Sequence, residues 1–362
     1  MTANVKNTVK TPPPPPPAPT KRAADTSHQA AQNQSQNKEN GFDFTSIIPP
    51  YSTPEQIGDY FSQTPAPLDF LWEGGPLLGS VGALVSPGGV GKSWFALQAA
   101  AAIAAGTEDA DLLGIKPTKR GVVHYFSFED SEAIFWHRLH DLAAHFSPDT
   151  REKIKENLRI HYMMQAQGFD LALEGIEHAI IPAITGARLV IIDTLNQSHT
   201  FDENRNDEMS QLLRRIRHIA DASKATILFI HHTNKASAFT GQGDVQQAAR
   251  GASAIVDNSR WIGYVQNMSS DEAKECFEPH EIEPVGEDFK WRFIKHGTSK
   301  INYGNAIENL WLERIENGIL KRVDLEQISQ ANQRENLKGN SSKKAQKNNY
   351  KSQGRNRDVA AF

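Results

Sequence analysis

Cysteine is nearly absent: Cys276 stands alone in 362 residues. No internal disulfide can form and no thiolate cluster is available for zinc or iron–sulfur, so a reducing, cytoplasmic setting is expected. Long apolar runs are absent too. The longest, "FALQAAAAIAAG", is about half a membrane span and alanine-rich, which favours a buried helix over a bilayer crossing, and no membrane partner is expected. The opening "MTANVKNTVKTPPPPPPAPT" has no apolar core of a secretory signal. Charge of one sign is also scarce. Lys and Arg number 39 against 43 Asp and Glu, a formal −4, which neither requires nor excludes a nucleic-acid partner. A hydrophobic content of 38% and a mean hydropathy of −0.53 imply that part of the length is not packed.

That part lies at the two ends. Residues 1 to 40 hold a six-proline run, Pro12 to Pro17, followed by the Gln/Asn-rich "HQAAQNQSQNKEN". Neither buries enough apolar surface to offset chain ordering, and a disordered leader is expected over 1–60. A second disordered tail is expected over 330–362. Within it, residues 338–357 carry seven Lys/Arg and no Asp/Glu, leaving −11 on the remainder. Such a tail is either a solvated end or a tether for nucleic-acid phosphates.

Between them, residues 65–325 alternate apolar runs with helical patterns. "VGALVS", "GVVHYFSF", "LRIHYMM", "ARLVIIDT", "ATILFIHHT", "RWIGYVQ" and "DFKWRFIKH" read as strands. In "DEMSQLLRRIRHIADA", Met209, Leu212, Leu213, Ile216, Ile219 and Ala220 share one helix face. Strands apolar on both sides and separated by helices predict an α/β fold with a mostly parallel central sheet flanked by helices. Ligands in such sheets sit at the carboxyl ends of the strands.

"SPGGVGKS" occupies such an end, between "VGALV" and a helical run. Gly88, Gly89 and Gly91 supply a permissive backbone, Lys92 a charge for the β/γ-phosphates and Ser93 a hydroxyl for Mg²⁺. Ser86, Pro87, Val90 and Trp94 complete the loop and its exit, with Ser86 where glycine is usual. The expected ligands are therefore ATP and Mg²⁺. "LVIIDT" ends in Asp193, placed to support Mg²⁺ through water, and "VHYFSFED" ends in Glu129, a candidate general base, and Asp130, a candidate helix cap. "ILFIHHT" ends in His231 and His232. Successive strand side chains point to opposite faces, so one of the pair can face the γ-phosphate while the other packs. Two loops could contact a polymer: "NKASAFTGQGDVQQAARG" and the acidic "NQSHTFDENRNDE". Phe201 and Phe239 are their only aromatics, so grip would come mainly from phosphates, through Lys235, backbone amides and the tail. Arg250 and Arg260 are candidate cations for a neighbouring site.

The order of these motifs resembles the RecA-like core of hexameric replicative helicases. "VGALVSPGGVGKS", "FIHHTNKASAFTGQGDVQQAARGASAIVDNSRW" and "HGTSKINYG" resemble more narrowly the RepA helicase of mobilisable broad-host-range plasmids, which shares the Ser-Pro-Gly-Gly opening. The resemblance implies a homo-hexameric ring with ATP sites between neighbours, moving 5′ to 3′ on single-stranded DNA in plasmid replication. Primase and an origin-binding initiator would be its replication partners. It implies Lys92 and Ser93 at the phosphates and Mg²⁺, Glu129 as base, Asp193 at the metal-supporting position and His232 as γ-phosphate sensor. Arg260 would be the arginine finger, with Arg250 near the same interface segment and Arg138 a further family arginine. Related DnaB-type helicases carry a Lys and an Arg two apart that act in trans. Here Lys300 is kept but Asn302 replaces the arginine, which directs attention to Arg260. The extra helical amino-terminal domain of DnaB-type proteins is not recognised, so their mode of primase recruitment is not implied. Two other functions compete with the motor: an ATP-switched DNA-binding or regulatory ring without unwinding, and a small-molecule P-loop kinase. The kinase would need an arginine-rich lid that the Gly/Gln loop does not resemble.

Overall fold

The computed structural model describes residues 51–232, 253–279, 281, 283–287, 289–304 and 307–327. The proline run, the "NKASAFTGQGDVQQAARG" segment with Lys235, Phe239 and Arg250, and the basic tail lie outside the described residues. The chain divides into two units, Met1–Pro67 and Leu68–Phe362. The first contains helix α1 (Pro54–Ser62), closed by a reciprocal capping box between Thr53 and Gln56, with no buried residue. Residues 54–60, expected to belong to the disordered leader, are therefore helical; the Thr53-Pro54 start and Gln56 are the local cause.

The second unit is built on a nine-stranded sheet. Its strands are β1 (Val81–Ser86), β2 (Val123–Ser127), β3 (Leu158–Tyr162), β4 (Leu189–Asp193), β5 (Thr226–His232) and β6 (Trp261–Asn267), followed by β8 (Phe293–Ile301), β9 (Leu310–Arg314) and β10 (Leu320–Val323). A separate antiparallel pair joins β7 (Cys276–Phe277) to β11 (Glu326–Gln327). The sheet order is β10-β9-β8-β6-β1-β5-β4-β2-β3. From β6 through β3 every pairing is parallel, whereas β6–β8, β8–β9 and β9–β10 are antiparallel. The mostly parallel sheet read from the sequence is present, with an antiparallel extension on one edge. The "DFKWRFIKH" run, expected as one strand, splits into a helical turn (Phe289–Arg292) and the start of β8.

Alternation along the strands makes two cores. Leu84, Tyr125, Leu189, Ile191, Leu228 and Ile230 pack against α2 (Lys92–Ala105), α3 (Glu132–Ala143) and α4 (Pro148–Asn157). Val85, Val190, Ile192, Ile227 and Phe229 face the other way, toward α5 (Glu177–Ile184), α6 (Asn206–Ser223) and α7 (Ser253–Asn258). Met209, Leu212, Leu213, Ile216, Ile219 and Ala220 form the buried stripe of α6 that their spacing predicts. By contrast α2 is buried nearly all round, and its alanines allow close approach to the sheet. Buried Gln98 on α2 pairs with the β10 backbone, donating to Leu320 O at 2.6 Å and accepting from Leu320 N–H at 2.9 Å. This ties the helix that follows the glycine loop to the antiparallel extension. Among the described residues no helix is long and apolar enough to cross a membrane.

His296 on β8 is packed beside Phe95 and Trp261, with ring centroids 4.5 and 6.4 Å away. Its Nδ1 faces the Tyr264 carbonyl at 2.9 Å and so carries the proton. Burial outweighs that hydrogen bond and pulls the imidazole down to about 4. The unfolded chain, with an ordinary value near 6.5, therefore binds more protons between about pH 6.5 and 4, and stability falls as pH drops through that window. Going from pH 7 to 5 costs roughly 2 kcal/mol from this group, and the partly buried His231, also held near 4 by desolvation, adds to the trend. Urea unfolding of His296→Phe is expected to lose less stability between pH 7 and 5 than wild type by about that amount; an equal loss contradicts the assignment.

Candidate phosphate-binding site at the strand ends

Strand β1 ends at Ser86, and the chain turns through Pro87–Gly91 into α2. Gly89 and Gly91 have φ of 77° and 105°, a region costly for any residue with a Cβ. Ser86 is not among the positive-φ residues, so a side chain is tolerated at the first loop position, and its hydroxyl donates to Pro87 O at 3.0 Å. Gly91 is the N-cap of α2 and, among the described residues, no side chain caps this helix. Its first N–H groups and the positive end of its dipole are left facing the loop.

Lys92, 5% exposed, donates to Pro87 O across the loop and to His232 Nδ1, both at 3.1 Å. An ammonium has only donors, so His232 Nδ1 is the acceptor and the imidazole proton sits on Nε2. That nitrogen lies 3.7 Å from Glu129 Oε1, which also accepts from the Thr194 hydroxyl at 2.9 Å. Lys92, His232, Glu129 and Thr194 thus form one connected row across the start of α2 and the ends of β5, β2 and β4. Burial lowers the Lys92 pKa against the pull of Asp193 and Glu129, and burial followed by Lys92 lowers that of His232.

Asp193 lies beneath this row. The β2–β4 register sets Ser127 opposite Asp193, so Tyr125, two residues earlier, shares its face and donates to Asp193 Oδ2 at 2.5 Å. Burial raises the Asp193 pKa, opposed by hydrogen bonding from Tyr125 and Ser93, with the charges of Glu129 and Asp130 pushing it further up. Its Oδ1 is buried without a partner among the described residues. An orphaned carboxylate oxygen beside the Ser93 hydroxyl, below an uncapped helix end, fits a hard divalent cation carried on a polyphosphate.

The neighbouring residues divide between support and other faces. Asp130 is not the cap expected for α3, whose N-cap is Ser131. It pairs instead with Arg138 at 2.7 Å, and that guanidinium lies 5.7 Å from the Trp94 ring and 5.8 Å from Phe135. His231 faces away from Lys92, with Nδ1 3.9 Å from Glu203 Oε1. Arg260 is not brought to this cluster. Its N–H bonds to Val81 O at 2.9 Å, at the start of β1, whereas the glycine loop leaves from Ser86 at the other end. The two are separated by roughly 17 Å of strand. Lys300 lies on the same far edge, donating to Val256 O at 2.5 Å and electrostatically opposed by Arg260, while Asn302 N–H bonds to Arg260 O at 3.1 Å. Arg250 is outside the described residues.

Thr194 and Tyr125 are members of the candidate site that sequence reasoning misses. Thr194 has a legible signal, since it immediately follows the strand-end Asp193. Tyr125 has none, because its partner is set by β2–β4 register.

Comparison with known proteins places this geometry. The AAA domain family matches residues 49–238, more than half of the chain. A solved structure described as a DnaB-like replicative helicase and its interactions with primase aligns with a TM-score of 0.50 and 15% identity, covering 84% of this chain and 76% of that one. The RadB recombinase aligns at 0.43 and 12% identity over 69% and 93%. The flagellar accessory protein FlaH from Methanocaldococcus jannaschii aligns at 0.41 and 14% identity over 70% and 92%. The sheet order and the first of these alignments identify the fold as a RecA-like P-loop core, and the chain belongs to the AAA domain family.

Proposed function

We propose that this chain is an ATP-dependent DNA helicase that works as a homo-hexameric ring, moving 5′ to 3′ on single-stranded DNA in plasmid replication. The observation that carries this reading is the unbroken row Lys92–His232–Glu129–Thr194 above Asp193. A switch that only binds nucleotide needs a phosphate cradle; it does not need a carboxylate held beside the sensor to activate water.

In this reading the Ser86–Trp94 segment wraps the triphosphate, and Lys92 exchanges Pro87 O and His232 for phosphate oxygens. Glu129, oriented by Thr194, accepts a proton from the attacking water, and His232 Nε2–H is the donor facing the reacting phosphate. Ser93 and Asp193 would hold Mg²⁺, Asp193 partly through water. When bound, the ion neutralises charge on the phosphate oxygens. Arg260 and Lys300, on the far edge of the sheet, would serve the site of an adjoining copy, and Arg250 would lie near the same interface segment. The core spans 65–325. The leader over 1–60 and the tail over 330–362 are appendages, the tail adding cations toward DNA phosphates. Primase and an origin-binding initiator are the expected replication partners. The likeness to a helicase solved with primase supports this choice of partner class.

The test is strand displacement on a tailed fork. Wild type with MgATP is expected to unwind a 5′-tailed fork and not a 3′-tailed one, with Lys92→Ala inactive in both hydrolysis and unwinding. DNA-stimulated hydrolysis without displacement would replace the motor with a switched DNA-binding ring. The interface role of Arg260 has its own test. Arg260→Ala is expected to bind MgATP within a few-fold of wild type and lose about 10³-fold in turnover. Mixed with wild type, it should depress activity more steeply than its molar fraction; a linear decline would remove Arg260 from the neighbouring site.

A further inference from the structure

Arg314, the last residue of β9, reaches the glycine loop from the antiparallel extension. Its Nη2 donates to Val90 O at 3.0 Å, and its Nη1 donates to the Trp291 carbonyl. Val90 sits between the two positive-φ glycines, Gly89 and Gly91. Within one peptide unit the C=O and N–H point in opposite directions. A guanidinium that fixes the Val90 carbonyl therefore fixes the Gly91 N–H on the other side.

The two sides of the loop are distinguishable. A Cβ added to Gly91 would meet Ile294 Cδ1 at 3.6 Å, Arg314 Nη2 at 3.8 Å and Leu320 Cδ1 at 4.0 Å, so this flank rests on the extension. A Cβ added to Gly88 would meet His232 Nδ1 at 3.9 Å, so the opposite flank faces the catalytic row. The Val90 carbonyl is drawn toward the extension, which turns the Gly91 N–H toward the row. Polarising the carbonyl also strengthens that N–H as a donor.

The charge on Arg314 points the same way. Burial lowers its pKa, and among the described residues no neighbouring carboxylate opposes that effect. Among the described residues, this half-buried guanidinium holding two backbone carbonyls has no carboxylate counter-charge, an unfavourable arrangement. A polyphosphate in the loop supplies that charge.

We propose that Arg314 is a positioning residue for the phosphate-binding loop: it turns the Gly91 N–H into the cradle and adds positive charge behind it. The proposal rests on reading Ser86–Ser93 as a nucleotide site. It predicts that phosphate affinity, more than the chemical step, depends on a residue more than 200 positions downstream of that loop.

The experiment is titration of the full-length protein with MgADP and with magnesium pyrophosphate, for wild type, Arg314→Gln, Arg314→Lys and Lys92→Ala. Melting temperatures without ligand are recorded alongside. Arg314→Gln is expected to weaken both ligands by roughly 10- to 100-fold, the size of one charge-assisted hydrogen bond. Arg314→Lys keeps the charge but spans only one carbonyl, and should recover part of the loss. In steady state the KM for ATP should rise more than kcat falls. Ligand affinity within twofold of wild type in Arg314→Gln, while Lys92→Ala binds weakly, overturns the assignment even if the melting temperature drops. Wild-type affinity in Lys92→Ala as well overturns the nucleotide reading beneath it. Should Arg314→Gln not fold, Arg314→Lys decides: a several-fold weaker MgADP affinity supports the proposal and an unchanged one overturns it.

Discussion

A single ammonium, that of Lys92, is the charge around which one end of the sheet is organised. It is buried, it bridges the loop to Pro87, and it sets the tautomer of His232 by having nothing but protons to give. That tautomer turns an N–H toward Glu129. The same charge, with burial opposing it, sits among Asp193 and Glu129. A lysine in this position is costly to hold in an apolar interior without anions close by, and the strand ends supply them. Parallel strands converge here because crossover helices return each one with the same polarity, which places every strand-end polar residue on one edge.

The antiparallel extension β8–β10 gives that edge a second support. Gln98 fixes the helix behind the loop to Leu320, and Arg314 fixes the loop itself through Val90. Loop and helix are therefore held from the side opposite the Lys92–His232–Glu129–Thr194 row. A loop that must present several N–H groups at once benefits from being oriented before the ligand arrives. The family match ends at residue 238, so Leu320 and Arg314 belong to the part of the chain beyond it.

Much of this is legible in the sequence because it is local. The glycine loop, the apolar strands leading to Asp193, Glu129 and His232, and the stripe on α6 each depend on neighbours in the chain or on strand alternation. What escapes depends on register between distant segments. Tyr125 meets Asp193 only because β2 and β4 align at Ser127, and Arg314 meets Val90 only because the extension folds back past β6. "DFKWRFIKH" misleads for a related reason: its apolar content fits a buried strand, yet Phe289–Arg292 takes a helical turn before β8 begins. At α3 the carboxylate of Asp130 finds a better partner in Arg138 than in the helix end, which propensity alone does not anticipate.

In the proposed reading, the two ends of the sheet hold complementary halves of a site. One end has the glycine loop, Glu129 and Asp193; the other has Arg260 and Lys300, with roughly 17 Å of strand between them. If a cation from one copy completes the site of the next, catalysis belongs to the assembly and not to the subunit. Specific ATPase activity measured across a dilution series, with sedimentation on the same samples, addresses this most directly. Turnover per subunit that collapses as the assembly dissociates is the predicted result, and full turnover from particles that sediment as monomers would contradict it.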